Sequence, residues 1–147
     1  MKGDRNRYPL GLQCQNVPVT DPRLQHVSTP YPRGRQEDVR AFYGGVLGLV
    51  EIPVPDSLAA LELVWFAAGP RQLELHFLPD PVQPDPRAGR HFCLEVDDVE
   101  GWRRRLEEHG VETLDDVPIP NRPRFFCRDP FGNLLELTTL EGDYRGS

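Results

Sequence analysis

One histidine and one glutamate recur at matching places in two stretches of the chain. The repeated residues are His26 and Glu74 in the first stretch and His91 and Glu136 in the second. The histidines lie 22 residues before Gly48 and 19 residues before Gly110, and each glutamate follows the glycine of its own copy by 26 residues. Imidazole and carboxylate groups are common ligands of divalent metal ions. The repeat therefore predicts a duplicated unit that builds one metal site from both halves.

The alternative to a metal site is a network of hydrogen bonds and ion pairs among the same four side chains. Burying such groups without partners would be costly, so either a metal ion or a network of this kind is expected around them. A strand histidine taken alone is more often a hydrogen-bonded structural residue than a ligand. The matched spacing favours the metal site over the network.

Length, composition and charge restrict the class of protein. The 147 residues, 38% hydrophobic and 27% charged, are typical of a single globular domain. The net charge of -6 argues against nucleic acid as a partner. No apolar run approaches the roughly 18 residues of a membrane helix, and no signal peptide is recognisable, so we expect no membrane partner and a cytoplasmic protein. The three cysteines are too scattered for a disulfide framework or a zinc finger.

Hydrophobic periodicity divides the chain into a leader (1–22), a single domain (23–141) with modules at 23–78 and 90–141, and a tail (142–147). The first module is predicted to contain the strand Leu24–Ser28, a loop at 30–34, the helix Gln36–Val46, the strand Leu49–Val54 and, after a turn near 55–57, a hairpin of Leu61–Ala67 and Gln72–Phe77. A proline-rich linker, 79–89, follows. We expect the leader to be partly disordered or to lie over the surface or over a partner subunit.

The second module repeats this order. It is predicted to contain the strand His91–Val96, a helix capped by Asp97 or Asp98 and closed by Gly110, and strands near Val111–Thr113, Arg124–Arg128 and Leu134–Leu140. Each module is then a βαβββ unit, which predicts an α+β fold with a cupped mixed sheet and helices on its outer face. Strand alternation places the four repeated residues opposite the leucines that pack on the helices.

The order of elements and several motifs resemble the vicinal oxygen chelate superfamily, which includes glyoxalase I, fosfomycin-resistance proteins, extradiol dioxygenases and bleomycin-binding proteins. The resemblance rests on Phe42-Tyr43 followed by Leu47-Gly48, on His91 leading into Val96-Asp97-Asp98, and on the closing run RDPFGNLLEL at 128–137. It covers roughly residues 23–141. It implies two βαβββ modules around a divalent metal ion, commonly in a homodimer.

The resemblance also implies roles for individual residues. His26, His91 and Glu136 match metal ligands of the family, and Glu74 matches the fourth ligand of glyoxalase I. His76 is a rival for that fourth position because it shares a face with Glu74. We favour Glu74 because its spacing from the glycine equals that of Glu136.

Three functions are compatible with this set of ligands. A glyoxalase-like lyase or isomerase would use Ni, Co, Mn or Zn and an enediolate-type intermediate, with Glu74 or Glu136 moving the proton. A ring-cleaving dioxygenase would hold Fe(II) with His26, His91 and Glu136. A non-catalytic protein would sequester a small ligand, as bleomycin-resistance proteins do. The lyase or isomerase is the main prediction, although no motif for glutathione recognition is present.

Further side chains could contact a small-molecule substrate. Arg122 and Arg124 flank Pro123 and could reach a substrate anion, with solvated rim charges as the alternative. Either Trp65 or Phe66 should face the cup and shape the substrate pocket. We also expect a homodimer, because pairing would cover the exposed edges of one cupped sheet.

Overall fold

A computed structural model describes residues 21–69 and 73–146, and most of the predicted leader therefore lies outside the described residues. The chain divides into two compact units, one ending at Pro81 and the other beginning at Val82. This boundary falls within the predicted linker 79–89. None of the helices in the described ranges is long and apolar enough to cross a membrane.

The first unit is a strand, a helical segment and three further strands. Its elements are β1 (His26–Tyr31), α1 (Gln36–Val39) continued by a π-helix (Arg40–Val46), β2 (Val50–Ile52), a 3-10 helix (Asp56–Leu61), β3 (Val64–Ala67) and β4 (Glu74–Pro79). The strands form one sheet in the order β1-β4-β3-β2. The β1–β4 pair is parallel and the other two pairs are antiparallel.

The second unit repeats this architecture. Its elements are β5 (His91–Glu95), α2 (Val99–Glu108), β6 (Thr113–Leu114), β7 (Arg124–Arg128) and β8 (Leu134–Thr138). The sheet order is β5-β8-β7-β6, again with one parallel pair, β5–β8. The Asp98 carboxylate caps α2 by accepting a 3.0 Å hydrogen bond from Gly101 N, and Gly110 follows the helix with a φ of +76°. The predicted α+β class with two βαβββ modules is confirmed.

The strand boundaries of the first unit differ from the predicted ones, most clearly at the end of β1 and at the start of β3. The strand β1 continues through Pro30 and Tyr31, where a loop was expected. Proline is tolerated there because β1 is an edge strand, so its missing N–H can face away from the ladder. The predicted strand Leu61–Ala67 begins only at Val64, because the residues before it complete a 3-10 helix.

The predicted first helix changes its hydrogen bonding at Arg40. Leu47 N donates to the carbonyl of Phe42 at 2.9 Å, one residue farther along the chain than in an α-helix. The wider turn carries Tyr43, whose ring packs at 4.2 Å from the ring of Phe77 on β4. Contacts of this kind cover one face of the sheet, and they leave the opposite face to polar side chains.

Strand alternation holds in both units. Leu75 and Phe77 are buried on the helix side of the first sheet, and Leu135 and Leu137 are buried in the second. The face opposite these residues carries the histidines and glutamates of the repeat. The register of the strands is fixed by this pattern, because a shift by one residue would exchange the leucines for the charged groups.

A buried aspartate organises the turn between β7 and β8. Asp129 Oδ1 accepts hydrogen bonds from the backbone N–H of Phe131 and of Asn133, both at 2.9 Å, while Oδ2 accepts one from Asn133 Nδ2 at 2.7 Å. Gly132 completes the turn with a φ of +91°. The turn sets the register in which β8 presents Glu136.

We expect Asp129→Ala to lower the free energy of unfolding by about 2–3 kcal/mol, because it leaves buried backbone donors without acceptors. Urea unfolding would measure the change. Asp129→Asn keeps one side-chain oxygen and should lose less. Equal stability of wild type and Asp129→Ala would contradict this role of the carboxylate.

Candidate functional site

The four residues of the repeat lie on the polar faces of the two sheets. His26 opens β1 and Glu74 opens β4, while His91 opens β5 and Glu136 lies in the middle of β8. Within the described residues, no group of three or more His, Cys, Asp or Glu side chains is arranged as a metal site. The predicted convergence of all four residues involves both units and stays a prediction.

The first unit presents a stack of three rings, which we call the aromatic stack: Trp65, His76 and His26. The ring centroids of Trp65 and His76 are 3.9 Å apart with an interplanar angle of 3°. Those of His76 and His26 are 4.2 Å apart at 13°. The prediction that either Trp65 or Phe66 lies on the polar face is resolved in favour of Trp65, since Phe66 is buried against Tyr43 and Phe77.

Glu74 lies beside the aromatic stack. Its carboxylate oxygen Oε2 is 2.7 Å from Nε2 of His76, and its side chain is nearly completely buried. Burial lowers the pKa of His76 below its ordinary value, and the neighbouring imidazole of His26 adds to this, whereas Glu74 opposes it. A neutral His76 that donates its Nε2 proton to Glu74 keeps a lone pair on Nδ1.

The second unit brings His91 and Glu136 into direct contact. His91 Nε2 lies 2.9 Å from Oε2 of Glu136, and Glu136 is only 3% exposed. The other ring nitrogen, Nδ1, lies 2.7 Å from the carbonyl oxygen of Gly89. Because a carbonyl only accepts hydrogen bonds, Nδ1 carries the proton. In neutral His91, Nε2 and Oε2 are then two facing acceptors, and a proton or a cation must lie between them.

Two arginines hold the other oxygen of Glu136. Arg122 Nη2 lies 3.1 Å and Arg124 Nη1 lies 3.5 Å from Oε1. The carboxylate is thereby oriented so that Oε2 faces His91. The second sheet thus combines a histidine, a buried carboxylate and two guanidinium groups, which we call the arginine cluster: His91, Arg122, Arg124 and Glu136.

The strand registers revise the internal correspondence predicted from spacing. In the second unit Glu136 pairs with Cys93, two residues after the histidine that opens β5. The residue two after the histidine of β1 is Ser28, and it pairs with His76. The prediction that Glu74 corresponds to Glu136 is therefore wrong in the strand register, because His76 takes that place. Whether Glu74 or His76 is a ligand stays a prediction.

The equal spacing of 26 residues was misleading because two connections differ in length between the units. The connection between the second and third strands and the connection between the third and fourth strands are each one residue longer in the first unit than in the second. Trp65 pairs with Ile52 and His76, whereas Phe126 pairs with Leu114 and Glu136. Counting from glycine to glutamate therefore reaches a position two residues too early in β4. Alignment of the strands by their pairing partners, rather than by distance along the chain, identifies His76.

The residues present in the second unit fit a metal ion. Two ligand atoms with metal bonds of about 2.1 Å at roughly a right angle lie about 3 Å apart, close to the 2.9 Å between His91 Nε2 and Glu136 Oε2. The Gly89 carbonyl and the two arginines supply the outer hydrogen bonds that typically orient metal ligands. The same contacts also satisfy the alternative, an ion-pair network without metal.

Comparison with known proteins agrees with this architecture. The family model described as the Glyoxalase/Bleomycin resistance protein/Dioxygenase superfamily matches residues 23–137. A structure from Bacillus anthracis described as a glyoxalase family protein is 32% identical, with a TM-score of 0.74 over 84% of this chain and 99% of that chain. No curated protein matches the chain.

Two further structures are similar in fold alone. An antibiotic-binding protein from Streptomyces sp. CB03234 is 22% identical, with a TM-score of 0.66 over 83% of this chain and 98% of that chain. Lactoylglutathione lyase from Agrobacterium tumefaciens is 24% identical, with a TM-score of 0.61 over 82% of this chain and 96% of that chain. The fold is therefore shared by a binding protein and an enzyme, so function must be argued from the site.

Proposed function

Because the chain belongs to the glyoxalase/bleomycin resistance protein/dioxygenase superfamily, we propose that it is a metal-dependent lyase or isomerase of the glyoxalase type. Its substrate would be a small oxygen-bearing molecule that reacts through an enediolate-type intermediate. The observation that carries the proposal is the His91–Glu136 pair, in which Nε2 and Oε2 lie 2.9 Å apart. When the imidazole is neutral, both atoms could bind one divalent cation with bonds of about 2.1 Å at roughly a right angle.

The proposed ligands are His91 and Glu136 from the second unit together with His26 and either Glu74 or His76 from the first. The metal ion would supply Lewis-acid polarisation of the substrate oxygens. The carboxylates of Glu74 and Glu136 are the proposed carriers of the proton between adjacent substrate carbons. Both carboxylates are almost fully buried, so water around the transferred proton is limited.

The test is a metal titration of the chelator-treated protein followed by calorimetry, with an isomerisation assay on the hemithioacetal of methylglyoxal and a small thiol. We expect about one ion per chain for Ni, Co, Mn or Zn, and activity that is lost with chelator and restored with metal. Activity only with Fe(II), oxygen and a catechol would favour the dioxygenase. Failure to bind any of these metals would contradict both enzymatic functions, the lyase or isomerase and the dioxygenase.

The runner-up is a non-catalytic protein that binds a small ligand, and a specific observation favours it. Arg122 and Arg124 already balance the charge of the buried Glu136 carboxylate, so this carboxylate needs no metal ion for neutrality. The resemblance in fold to an antibiotic-binding protein supports the same possibility. Ligand binding by metal-free protein, without turnover under any metal condition, would identify this function.

A further inference from the structure

We propose that Arg122 and Arg124 form a subsite for an anionic oxygen group, a carboxylate, phosphonate or phosphate, on the molecule that this protein binds. The inference deepens the proposed function and rests on it only in assigning that anion to its substrate. The subsite lies on the polar face of the second sheet.

The charge balance of the arginine cluster leaves one guanidinium in excess at its buried centre. Both arginines approach a single oxygen, Oε1 of Glu136, at 3.1 and 3.5 Å. Asp116 is the other carboxylate near Arg124, at 3.4 Å, but half of its side chain is exposed and its charge is screened by water. One carboxylate needs only one guanidinium for neutrality, so the second has capacity for another anion.

The arginines also retain donors without acceptors. The Nε atoms of Arg122 and Arg124 are buried, and neither has a hydrogen-bond partner among the described residues. Arg124 Nη2 donates to the carbonyl of Val117 at 3.0 Å. Within the described ranges, the partners of Arg122 Nη2 are Glu136 and, at 3.9 Å, Cys93 Sγ. A buried donor without a partner is unfavourable, and a guanidinium binds oxyanions through paired N–H groups. A small rotation of either side chain would turn its Nε toward an incoming oxyanion.

The first unit indicates that a βαβββ module can form its sheet without an arginine at the position of Arg124. Arg124 lies two residues before Phe126 on β7, and the register-equivalent residue in the first unit is Leu63, two residues before Trp65 on β3. The first unit builds the same sheet with leucine there. The arginine therefore serves something that distinguishes the second unit, and its chemistry points to an anion.

The ring contacts of the two arginines hold them in place. The guanidinium carbon of Arg122 lies 5.1 Å from the ring centroid of Tyr144, and that of Arg124 lies 5.2 Å from the ring centroid of Phe126. Stacking on an aromatic face restricts a guanidinium and leaves its N–H edge available for an anion. Because these contacts already restrict both side chains, little conformational entropy is lost when the arginines bind an anion.

The test is an NMR titration of metal-free, 15N-labelled protein with methylphosphonate, inorganic phosphate and acetate at low salt. We expect the Nε–H signals of Arg122 and Arg124 to shift and saturate, with a Kd of about 1–10 mM for at least one probe. Arg122→Gln and Arg124→Gln should each raise this Kd about 10-fold, since each removes one charged partner. The ranking of the three probes separates a carboxylate site from a phosphonate or phosphate site.

Arg104→Gln is the matched control, because it removes the same charge from an exposed position on α2 and should change the Kd less than about twofold. Arg124→Lys keeps the charge without the planar fork and should bind more weakly than wild type. Thermal unfolding checks that each variant is folded. Absence of any shift with all three probes, or equal binding by wild type and Arg124→Gln, would overturn the proposal. Because no metal is added in this titration, its outcome does not depend on whether the protein binds a metal ion.

Discussion

Replacement of His91 by alanine is expected to lower the affinity for a divalent metal ion at least 100-fold. The change removes one nitrogen ligand and leaves the carbonyl of Gly89 without its donor. It also leaves Glu136 with only the two arginines, which repel a cation. Calorimetric titration of chelator-treated wild type and variant with Zn or Ni would measure the difference.

His109→Ala is the control for this prediction. His109 caps the end of α2, and its Nδ1 lies 2.8 Å from the carbonyl oxygen of Arg105. The residue lies away from the polar faces of the sheets, so we expect a change in metal affinity of less than about twofold. If His91→Ala binds metal as wild type does, the His91–Glu136 contact is an ion pair or hydrogen bond, and the ligand-binding function takes precedence.

The fold was largely predictable because its signals are local. The strand Arg124–Arg128, a short apolar run between two arginines, was predicted with its observed bounds, and the capping aspartate before α2 was one of the two expected. The continuation of β1 through Pro30 was missed, because the tolerance of proline depends on the strand lying at a sheet edge. That property is decided by the pairing of distant segments.

The candidate site was predictable in its residue types but less so in its contacts. Sequence placed His91 and Glu136 on one face, and the structure brings them to 2.9 Å. The contact of Arg122 with Glu136 depends on how the loop before β7 approaches β8, and no periodicity encodes that approach. Arg124, the first residue of β7, reaches the same carboxylate from the strand itself. The correspondence of His76, rather than Glu74, to Glu136 depends on the lengths of the connections between β2 and β3 and between β3 and β4.

A choice between Glu74 and His76 as the fourth ligand follows from their hydrogen bond. His76 Nε2 donates to Glu74, so His76 can offer Nδ1 to a metal ion while Glu74 orients its ring, an arrangement common among metal-bound histidines. The strand register, which places His76 opposite β1 as Glu136 is placed opposite β5, favours the same choice. We therefore expect His76 to be the ligand and Glu74 its orienting partner.

The two assignments predict opposite orders of effect. If His76 is the ligand, His76→Gln should lower metal affinity about 100-fold, and Glu74→Gln only about 10-fold, as is typical of an outer partner. If Glu74 is the ligand, Glu74→Gln should have the larger effect. Ser28→Ala is the matched control, since Ser28 is the exposed ladder partner of His76.

Trp65 provides a readout independent of activity, because its ring stacks on His76 at 3.9 Å. In a Trp102→Phe background its fluorescence should change on metal binding in wild type and respond least in the variant that has lost the ligand.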